Sequence, residues 1–239
     1  MVFAVLLAGG VGSRMGNIEK PKQYLNIGGR PIIVHTIEKF FLNDKFEKIY
    51  VLCPEEWISH TKNLVRKYLG PIADDRLEVI QGGETRNETI MNAIKKIEEE
   101  YEVDDDTVLV THDSVRPFVT SRIIEENIKY GIKYGACDTA VAATDTIVQS
   151  EDGKIISQVP ERKTMYQGQT PQTFGLKKLK ALYQSLTEEE KMILTDAAKI
   201  FVMKGEKVYL VEGEVSNIKI TYPYDLRVAE SLIASEKEL

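Results

Sequence analysis

The first residues suited to chemistry follow an apolar run, VFAVLL, at positions 2–7. The loop after this run contains Gly9, Gly10, Gly12 and Gly16. Glycines after a strand let the backbone approach a ligand closely, and their amide groups can bind an anion. Arg14 lies within the loop, and Lys22 follows in the sequence PKQYL. A planar guanidinium and a compact ammonium both suit a phosphate, so the loop predicts a phosphate site. A glycine-rich turn with two solvated cations is the alternative.

A second glycine turn, QGGETRNET at positions 81–89, leads into a helical pattern. Arg86 and Thr89 lie at the start of that helix, where backbone amides and a side-chain cation could hold another part of a ligand. A tight strand-to-helix connection with ordinary capping would explain the same residues.

The sequence THDSVRPF at positions 111–118 follows another strand. Asp113 at the strand end is a candidate ligand for Mg²⁺, which binds one or two carboxylates together with substrate phosphates. Arg116 lies on the same loop, so a structural ion pair between Asp113 and Arg116 is the alternative. We expect His112 to be a hydrogen-bonded structural residue rather than a metal ligand.

The glycine loop by itself could also belong to a dinucleotide-binding dehydrogenase. That class needs a helix directly after the glycines and an acidic residue at the end of the second strand. Here Pro21 interrupts an early helix, and the second strand ends in Cys53 and Pro54. These residues argue against a dehydrogenase.

Short apolar runs alternate with helix-period segments over the first 143 residues. Strands are predicted at 2–7, 49–53, 77–80, 107–111, 138–143 and 208–211, and helices at 31–41, 55–69, 86–101, from Thr120, at 176–185, from Thr195 and from Pro223. This alternation predicts an α/β fold: a Rossmann-like, mostly parallel sheet with helices on both faces. Ligands in such sheets bind at the carboxyl ends of the strands. The three loops described above should therefore meet along one edge.

The segment TDTIVQSEDGKIISQV, from residue 144, departs from this succession of strands and helices. Its apolar and polar residues alternate on either side of Glu151, Asp152 and Gly153. It predicts a β-hairpin, which has too little core to be stable alone and should project and pack on another subunit. We predict a single domain over 1–239 with an arm at about 144–165.

Composition is that of an ordinary globular protein, with 43% hydrophobic and 28% charged residues. A net charge of −6 argues against binding to nucleic acid or to an anionic membrane. Cys53 and Cys137 lie in strand-like stretches, which predicts reduced, buried thiols. No run reaches membrane-spanning length, and the apolar stretch from residue 2 lacks the basic leader of a signal peptide. We expect a cytoplasmic protein.

Six motifs in this order, LAGGVGSRMG, PKQYL, GGETRNET, HDSVRP, QTPQTF and SNIKIT, resemble the cytidylyltransferases that join CTP to a polyol phosphate. The resemblance covers nearly the whole chain. One branch of this family acts on 2-C-methyl-D-erythritol 4-phosphate, and the other makes CDP-ribitol for teichoic acid from D-ribitol 5-phosphate. Ser114 and Val115 replace the alanines of the usual HDAARP of the erythritol branch. Together with YQGQTPQTF and LTDAAKIF, they make the sequence more similar to the ribitol branch.

The resemblance also implies roles for individual residues. It places cytidine and its phosphates on Leu7, Ala8, Gly9 and Gly10 and on the second glycine turn, with Gly82, Gly83, Glu84, Arg86, Asn87 and Thr89. It adds Ser114, Arg116 and Thr170 to the binding residues, Asp113 as the Mg²⁺ ligand, and Arg14, Lys22, Arg162 and Lys219 as catalytic cations. By spacing alone, neither Arg162 nor Lys219 would be assigned, and Thr170 would only be placed in an extended segment before a proline.

The family resemblance implies a homodimer formed through the arm, so that Arg162 would serve the partner's site. It also implies a ribulose-5-phosphate reductase as the partner that supplies ribitol phosphate. The sister enzyme of the erythritol branch is the first alternative, another nucleotidyltransferase is the next, and a nucleotide-binding protein without turnover is a more distant one.

Overall fold

The computed structural model describes residues 1–10, 15–16 and 20–236, which form a seven-stranded sheet covered by helices. The strands are β1 (Val2–Leu7), β2 (Asn26–Ile27), β3 (Arg30–Pro31), β4 (Lys48–Cys53), β5 (Leu77–Gln81), β6 (Val108–Asp113), β7 (Ala136–Ala142), β8 (Tyr166–Gly175) and β9 (Tyr209–Glu212). The helices are α1 (Ile32–Phe41), α2 (Ile58–Leu69), α3 (Ala73–Arg76), α4 (Arg86–Glu100), α5 (Ser121–Tyr134), α6 (Leu176–Gln184), α7 (Glu188–Met192), α8 (Ala197–Met203) and α9 (Pro223–Glu236).

The strand order in the main sheet is β5-β4-β1-β6-β8-β7-β9. Strands β5, β4, β1 and β6 pair in parallel, as do β7 and β9. Strands β1, β4 and β6 read as largely apolar runs because both faces of the sheet are covered there. The predicted Rossmann-like, mostly parallel sheet with helices on both faces is confirmed.

Strand β8 is the largest departure from the prediction, which placed only an extended segment around Thr170. It runs antiparallel to both β6 and β7 and lies between them. Its sequence, YQGQTPQTFG, is polar and contains proline and glycine, so it lacks the pattern of a buried strand. Its buried Gln169 and Thr170 side chains are instead hydrogen-bonded to Asn217 and His112, and its backbone is also bound, as by the Asn217 side-chain amide on the Thr170 carbonyl (2.8 Å).

Three apolar clusters hold the layers together. One packs α1, α2 and α5 on one face of the sheet, and the second packs α4, α6 and α8 on the other. The third joins β2 and α9 to Val115 and Ile220, which flank the loops that carry Asp113 and Lys219. This cluster anchors the carboxyl edge of the sheet. Cys53 and Cys137 are buried free thiols, as predicted.

Residues 144–165, which we call the arm, depart from a regular hairpin. The chain reverses around Asp152, whose carboxylate accepts from the amides of Lys154 (2.8 Å) and Ile155 (2.9 Å). Among the described residues, the two sides pair only at one antiparallel bridge, between Gln149 and Gln158. The predicted turn is present, but these described residues form no ladder, because the arm packs on too little of its own subunit to order two strands.

No helix within the described ranges combines the length and apolar character needed to cross a lipid bilayer.

Candidate active site

A cavity of about 350 Å³ opens at the carboxyl edge of the sheet, where the loops after β1, β5 and β6 converge. Fourteen residues line it: Leu7, Gly9, Gly10, Lys22, Gln23, Gly83, Glu84, Thr85, Arg86, Thr89, Asp113, Ser114, Val115 and Lys219. The volume lies within the range of small-molecule sites. The meeting of three loops at one edge, as the sequence predicts, produces this cavity.

The first wall is the start of the glycine-rich loop. Gly9 and Gly10 are exposed, and a Cβ added to either would meet no described atom within 4 Å. The loop is anchored at Ala8, whose amide donates to the Leu52 carbonyl (2.8 Å) and whose carbonyl accepts from Gln23 Nε2 (2.6 Å). The backbone of this wall is anchored at Ala8, and the described residues leave open space above Gly9 and Gly10. Arg14 lies outside the described residues.

Lys22 enters the cavity from a short 3-10 helix, Lys22–Tyr24, and is almost fully buried. That helix is held by Tyr24, whose ring stacks on Trp57 at 4.5 Å between centroids. The Tyr24 hydroxyl also hydrogen-bonds to Thr61 Oγ1 (2.8 Å). The position of the Lys22 ammonium is therefore set by packing rather than by a flexible surface loop.

The second wall is the turn from β5 into α4. A capping box closes it: the Glu88 amide donates to Thr85 Oγ1 (3.2 Å) and the Thr85 amide donates to Glu88 Oε2 (3.1 Å). Thr89 Oγ1 accepts from the Gly83 amide (2.9 Å) and donates to the Thr85 carbonyl (2.8 Å). The N-terminus of a fifteen-residue helix thus borders the cavity and favours an anion there.

Alanine substitution should affect stability differently at Gly83 and at Gly9. A Cβ at Gly83 would lie 2.5 Å from Glu88 Cβ and 2.9 Å from the Thr89 amide nitrogen, whereas a Cβ at Gly9 would have no described atom within 4 Å. We expect Gly83→Ala to lower the free energy of unfolding by roughly 1–3 kcal/mol, the usual cost of overpacking. Gly9→Ala should leave stability unchanged and weaken the binding of a phosphate-bearing ligand over the loop. Urea unfolding and calorimetric titration measure both, and equal stability losses would contradict this account of the two loops.

The third wall carries Asp113, which is surrounded by three cations. Its Oδ1 pairs with Arg86 Nη1, and its Oδ2 lies 2.9 Å from Lys219 Nζ and 3.7 Å from Arg116 Nε. Burial of the Asp113 carboxyl raises its pKa, but Arg86, Lys219 and Arg116 outweigh burial and hold that pKa well below its usual range. Asp113 is therefore ionised at neutral pH. One carboxylate faces three positive groups, which leaves this wall attractive to a further anion.

Two guanidinium nitrogens in this cluster, Arg86 Nε and Arg116 Nε, are buried without a hydrogen-bond acceptor among the described residues. Buried donors normally have an acceptor, so Arg86 Nε, whose side chain lines the cavity, is suited to a ligand oxygen. Neighbouring His112 is also buried, which lowers its pKa to about 3 and keeps it neutral. It hydrogen-bonds to Thr170 and Arg116, which agrees with the predicted structural role.

Lys219 reaches this wall because the SNIKIT loop is bound to β8. Fully buried Asn217 donates from Nδ2 to the Thr170 carbonyl (2.8 Å) and to Gln169 Oε1 (3.2 Å). Its own backbone carbonyl accepts from Arg116 Nη1 (2.7 Å). The Ile220 amide donates to the Val115 carbonyl (2.9 Å), which adds a direct link to the Asp113 loop. These bonds bring a cation near the end of the chain into the cavity.

The structure brings most of the predicted site residues together. Leu7, Gly9, Gly10, Lys22, Gly83, Glu84, Arg86, Thr89, Asp113, Ser114 and Lys219 line the cavity. Ala8, Gly82, Asn87, Arg116 and Thr170 lie behind the lining, in the supporting loops and strands. Among the predicted catalytic cations that the structure describes, Lys22 and Lys219 line the cavity and Arg162 does not. Arg162 is exposed on the arm, and its Nη1 donates to the Thr144 carbonyl (3.1 Å).

Three cavity residues were not singled out by the sequence analysis. Gln23 stands next to Lys22 in the PKQ motif, and Val115 lies within the motif that supplied Asp113. Thr85 had a signal of its own, since threonine followed three residues later by glutamate marks a capping box.

Comparison with a family model places residues 2–235 in IspD, 2-C-methyl-D-erythritol 4-phosphate cytidylyltransferase. The chain is similar to a solved 4-diphosphocytidyl-2C-methyl-D-erythritol synthase from Anaerococcus prevotii, with 26% identity, 98% and 96% of the two chains covered, and a TM-score of 0.78. It is also similar to the 2-C-methyl-D-erythritol 4-phosphate cytidylyltransferase of Francisella tularensis, with 28% identity, 96% and 98% covered, and a TM-score of 0.78.

A mostly parallel sheet with a glycine-lined, cation-rich cavity at its carboxyl edge is the architecture of an α/β nucleotidyltransferase, and the matched structures share the fold. Since the family model spans nearly the whole chain, the protein belongs to the IspD family. It is a CTP-dependent cytidylyltransferase.

Proposed function

We propose that this protein transfers the cytidylyl group of CTP to a polyol phosphate and releases pyrophosphate. The observation that carries this proposal is the cavity in which the glycine loop, the N-terminus of α4 and the Asp113-centred cations meet. CTP would lie against Leu7–Gly10 and the 82–89 turn, with its phosphates over Gly9 and Gly10. The acceptor phosphate would approach from the side of Lys219.

The chemistry follows from the charges of the reactants. A phosphate oxygen of the acceptor attacks the α-phosphorus of CTP, the new P–O bond forms as the bond to the β-phosphate oxygen breaks, and pyrophosphate carries away the electron pair. The attacking oxygen is already anionic, so no general base is needed. The protein must bring two polyanions together and stabilise the charge that develops on the α-phosphate. Lys22 does this from its fixed position, together with Arg14.

Enzymes of this family generally use a divalent metal ion together with CTP. Among the described residues, no three His, Cys, Asp or Glu side chains converge on one point. Mg²⁺ needs only one or two protein carboxylates when phosphates supply its other ligands, and Asp113 at the cavity wall fits that requirement. Asp113 would then hold Mg²⁺, which would neutralise phosphate charge. Arg86 and Lys219, the present partners of Asp113, could turn toward ligand oxygens.

Two acceptors have support. The matched family and structures favour 2-C-methyl-D-erythritol 4-phosphate. D-Ribitol 5-phosphate is favoured by Ser114 and Val115, both of which line the cavity, and by the sequences YQGQTPQTF and LTDAAKIF. With ribitol phosphate, the product would be CDP-ribitol for teichoic acid, and a ribulose-5-phosphate reductase would be the natural supplier of the acceptor.

A panel of acceptors decides between them. Purified protein is incubated with CTP, Mg²⁺ and each polyol phosphate in turn, and pyrophosphate release is measured. We expect release with one of the two acceptors and none with CTP alone. Release with methylerythritol phosphate alone would place the protein in isoprenoid synthesis, and release with ribitol phosphate alone would place it in teichoic acid synthesis. No release with either would overturn the proposed function.

We further propose that the arm forms a homodimer and delivers Arg162 to the partner's cavity. Arg162 lies apart from the cavity of its own chain, among exposed apolar residues of the arm. Val148, Ile155, Ile156 and Val159 are all exposed there, which is costly for a monomer.

Mixing two inactive variants tests this sharing of residues. Lys22→Ala and Arg162→Ala subunits should each be nearly inactive as homodimers. After denaturation and refolding together, half of the dimers are mixed and each has one intact site, so about a quarter of wild-type activity should return. A mixture no more active than its components would contradict a shared site.

A further inference from the structure

His112 connects the two segments that support the Asp113 wall, although it does not line the cavity. It is fully buried at the end of β6, with its ring 5.0 Å from that of Phe40. Its Nδ1 lies 2.9 Å from Thr170 Oγ1 and its Nε2 lies 3.1 Å from the Arg116 carbonyl oxygen. One ring thus joins β8 to the loop after β6.

The directions of these hydrogen bonds follow from the partners. A carbonyl oxygen can only accept, so Nε2 carries the proton and donates to Arg116. Nδ1 then offers a lone pair and accepts from the Thr170 hydroxyl. Thr170 Oγ1 in turn accepts from the Asp113 amide at 3.2 Å. The chain of donors therefore runs from the Asp113 amide through Thr170 and His112 to the Arg116 carbonyl, with the tautomer assigned from this network.

The two ends of this hydrogen-bond network, Asp113 and Arg116, belong to the cation cluster. The Arg116 amide donates to the Asp113 carbonyl (3.0 Å), so the segment between them is a closed turn. The Arg116 guanidinium continues to the Asn217 carbonyl (2.7 Å), and Lys219 lies 2.9 Å from Asp113. A shift of the His112 ring would move the turn that sets the Asp113 carboxylate against its partners.

We propose that His112 is a positioning residue for cytidylyl transfer: through the Thr170 hydroxyl and the Arg116 carbonyl, its ring fixes the turn that places Asp113 at the cavity wall and Arg116 behind it. This inference rests on the proposed function. The ring acts without touching the substrate, because it is fully buried behind the cavity wall.

Two substitutions test the two hydrogen bonds of the His112 ring one at a time. His112→Asn keeps an oxygen near the position of Nδ1 and loses the donor to Arg116. His112→Gln places an amide nitrogen near the position of Nε2 and loses the acceptor for Thr170. We expect each to lower kcat by roughly 10–10²-fold with KM for CTP within about threefold of wild type, since small misplacements near reacting groups act mainly on turnover.

Thr170→Val removes the hydroxyl at the centre of the network. Because His112→Gln and Thr170→Val interrupt the same bond, the double variant should lose less activity than the product of the two single losses. Thr107→Val is the matched control: Thr107 is also fully buried, precedes β6 at its opposite end, and donates to Asp104 Oδ1 (2.6 Å). It should lower the melting temperature without changing kcat.

A measurement on the resting wild-type protein keeps this proposal separate from the proposed function. With three histidines in the chain, long-range proton–nitrogen NMR can resolve the His112 ring. We expect a neutral ring protonated at Nε2, whether or not any acceptor is turned over. A ring protonated at Nδ1 would overturn the proposal. So would unchanged kcat in folded His112→Asn and His112→Gln, or losses that multiply fully in the double variant.

Discussion

Replacing Lys22 with alanine is expected to lower kcat by roughly 10²–10³, the scale for losing one group that stabilises charge in a transition state. Lys22 is nearly buried at the cavity wall, on a 3-10 helix fixed by Tyr24 and Gln23. The charge it would stabilise grows as the α-phosphate gains a fifth oxygen neighbour. Its loss should therefore affect turnover more than CTP binding. Steady-state kinetics with saturating CTP measures the change.

Lys20→Ala is the matched control, because Lys20 is an exposed lysine two positions earlier and does not line the cavity. It should retain wild-type kcat. Lys22→Arg keeps the positive charge and should recover part of the lost activity. Near-normal turnover in a folded Lys22→Ala variant would contradict the role assigned to this cation.

Replacing Asp113 with asparagine should have a comparable effect on activity, with kcat lowered by about 10²-fold or more. The substitution keeps the size of the side chain and removes the charge that organises Arg86, Arg116 and Lys219. It also removes the proposed Mg²⁺ ligand. We expect the free energy of unfolding at neutral pH to fall by roughly 1–3 kcal/mol, because charged donors lose their acceptor.

The Asp113 charge should also make the free energy of unfolding depend on pH. The three cations hold the pKa of Asp113 in the folded protein below the value of about 3.9 expected for an unfolded chain. The stabilising contribution of Asp113 is therefore complete above that value and is lost as the pH falls below it. As the pH falls below about 4, the wild type should lose stability more steeply than Asp113→Asn.

Asp105→Asn is the control for Asp113, since Asp105 is exposed and pairs at the surface with Lys177 (3.2 Å). Its kinetics and acid stability should match those of the wild type. Identical acid stability curves for Asp113→Asn and the wild type would show that the cation cluster does not stabilise the Asp113 carboxylate.

The sequence predicted the fold best where a local pattern of residues follows from one physical requirement. The short apolar runs of β1, β4 and β6 predicted strands because a sheet covered on both faces buries such runs completely. The loops that follow parallel strands must meet at one edge of the sheet, so the order of strands and loops along the chain was enough to group Gly9, Arg86 and Asp113.

Features held by buried polar groups were harder to predict. Strand β8 has no apolar pattern, because its buried Gln169 and Thr170 are satisfied by Asn217 and His112 from distant parts of the chain. Lys219 reaches Asp113 only through these bonds, and no local spacing signals that contact. Without the family resemblance, the full set of cations around Asp113 could not have been assigned.

The central claim is that CTP loses pyrophosphate to an attacking phosphate oxygen, and ³¹P NMR of the complete reaction tests it most directly. With CTP, Mg²⁺ and the active acceptor, we predict equal amounts of pyrophosphate and of a new CDP-polyol with two coupled diphosphate resonances. Appearance of CDP with a doubly phosphorylated polyol, or of CMP with unchanged acceptor, would show that a different bond is broken. Either result would contradict the cytidylyl-transfer mechanism.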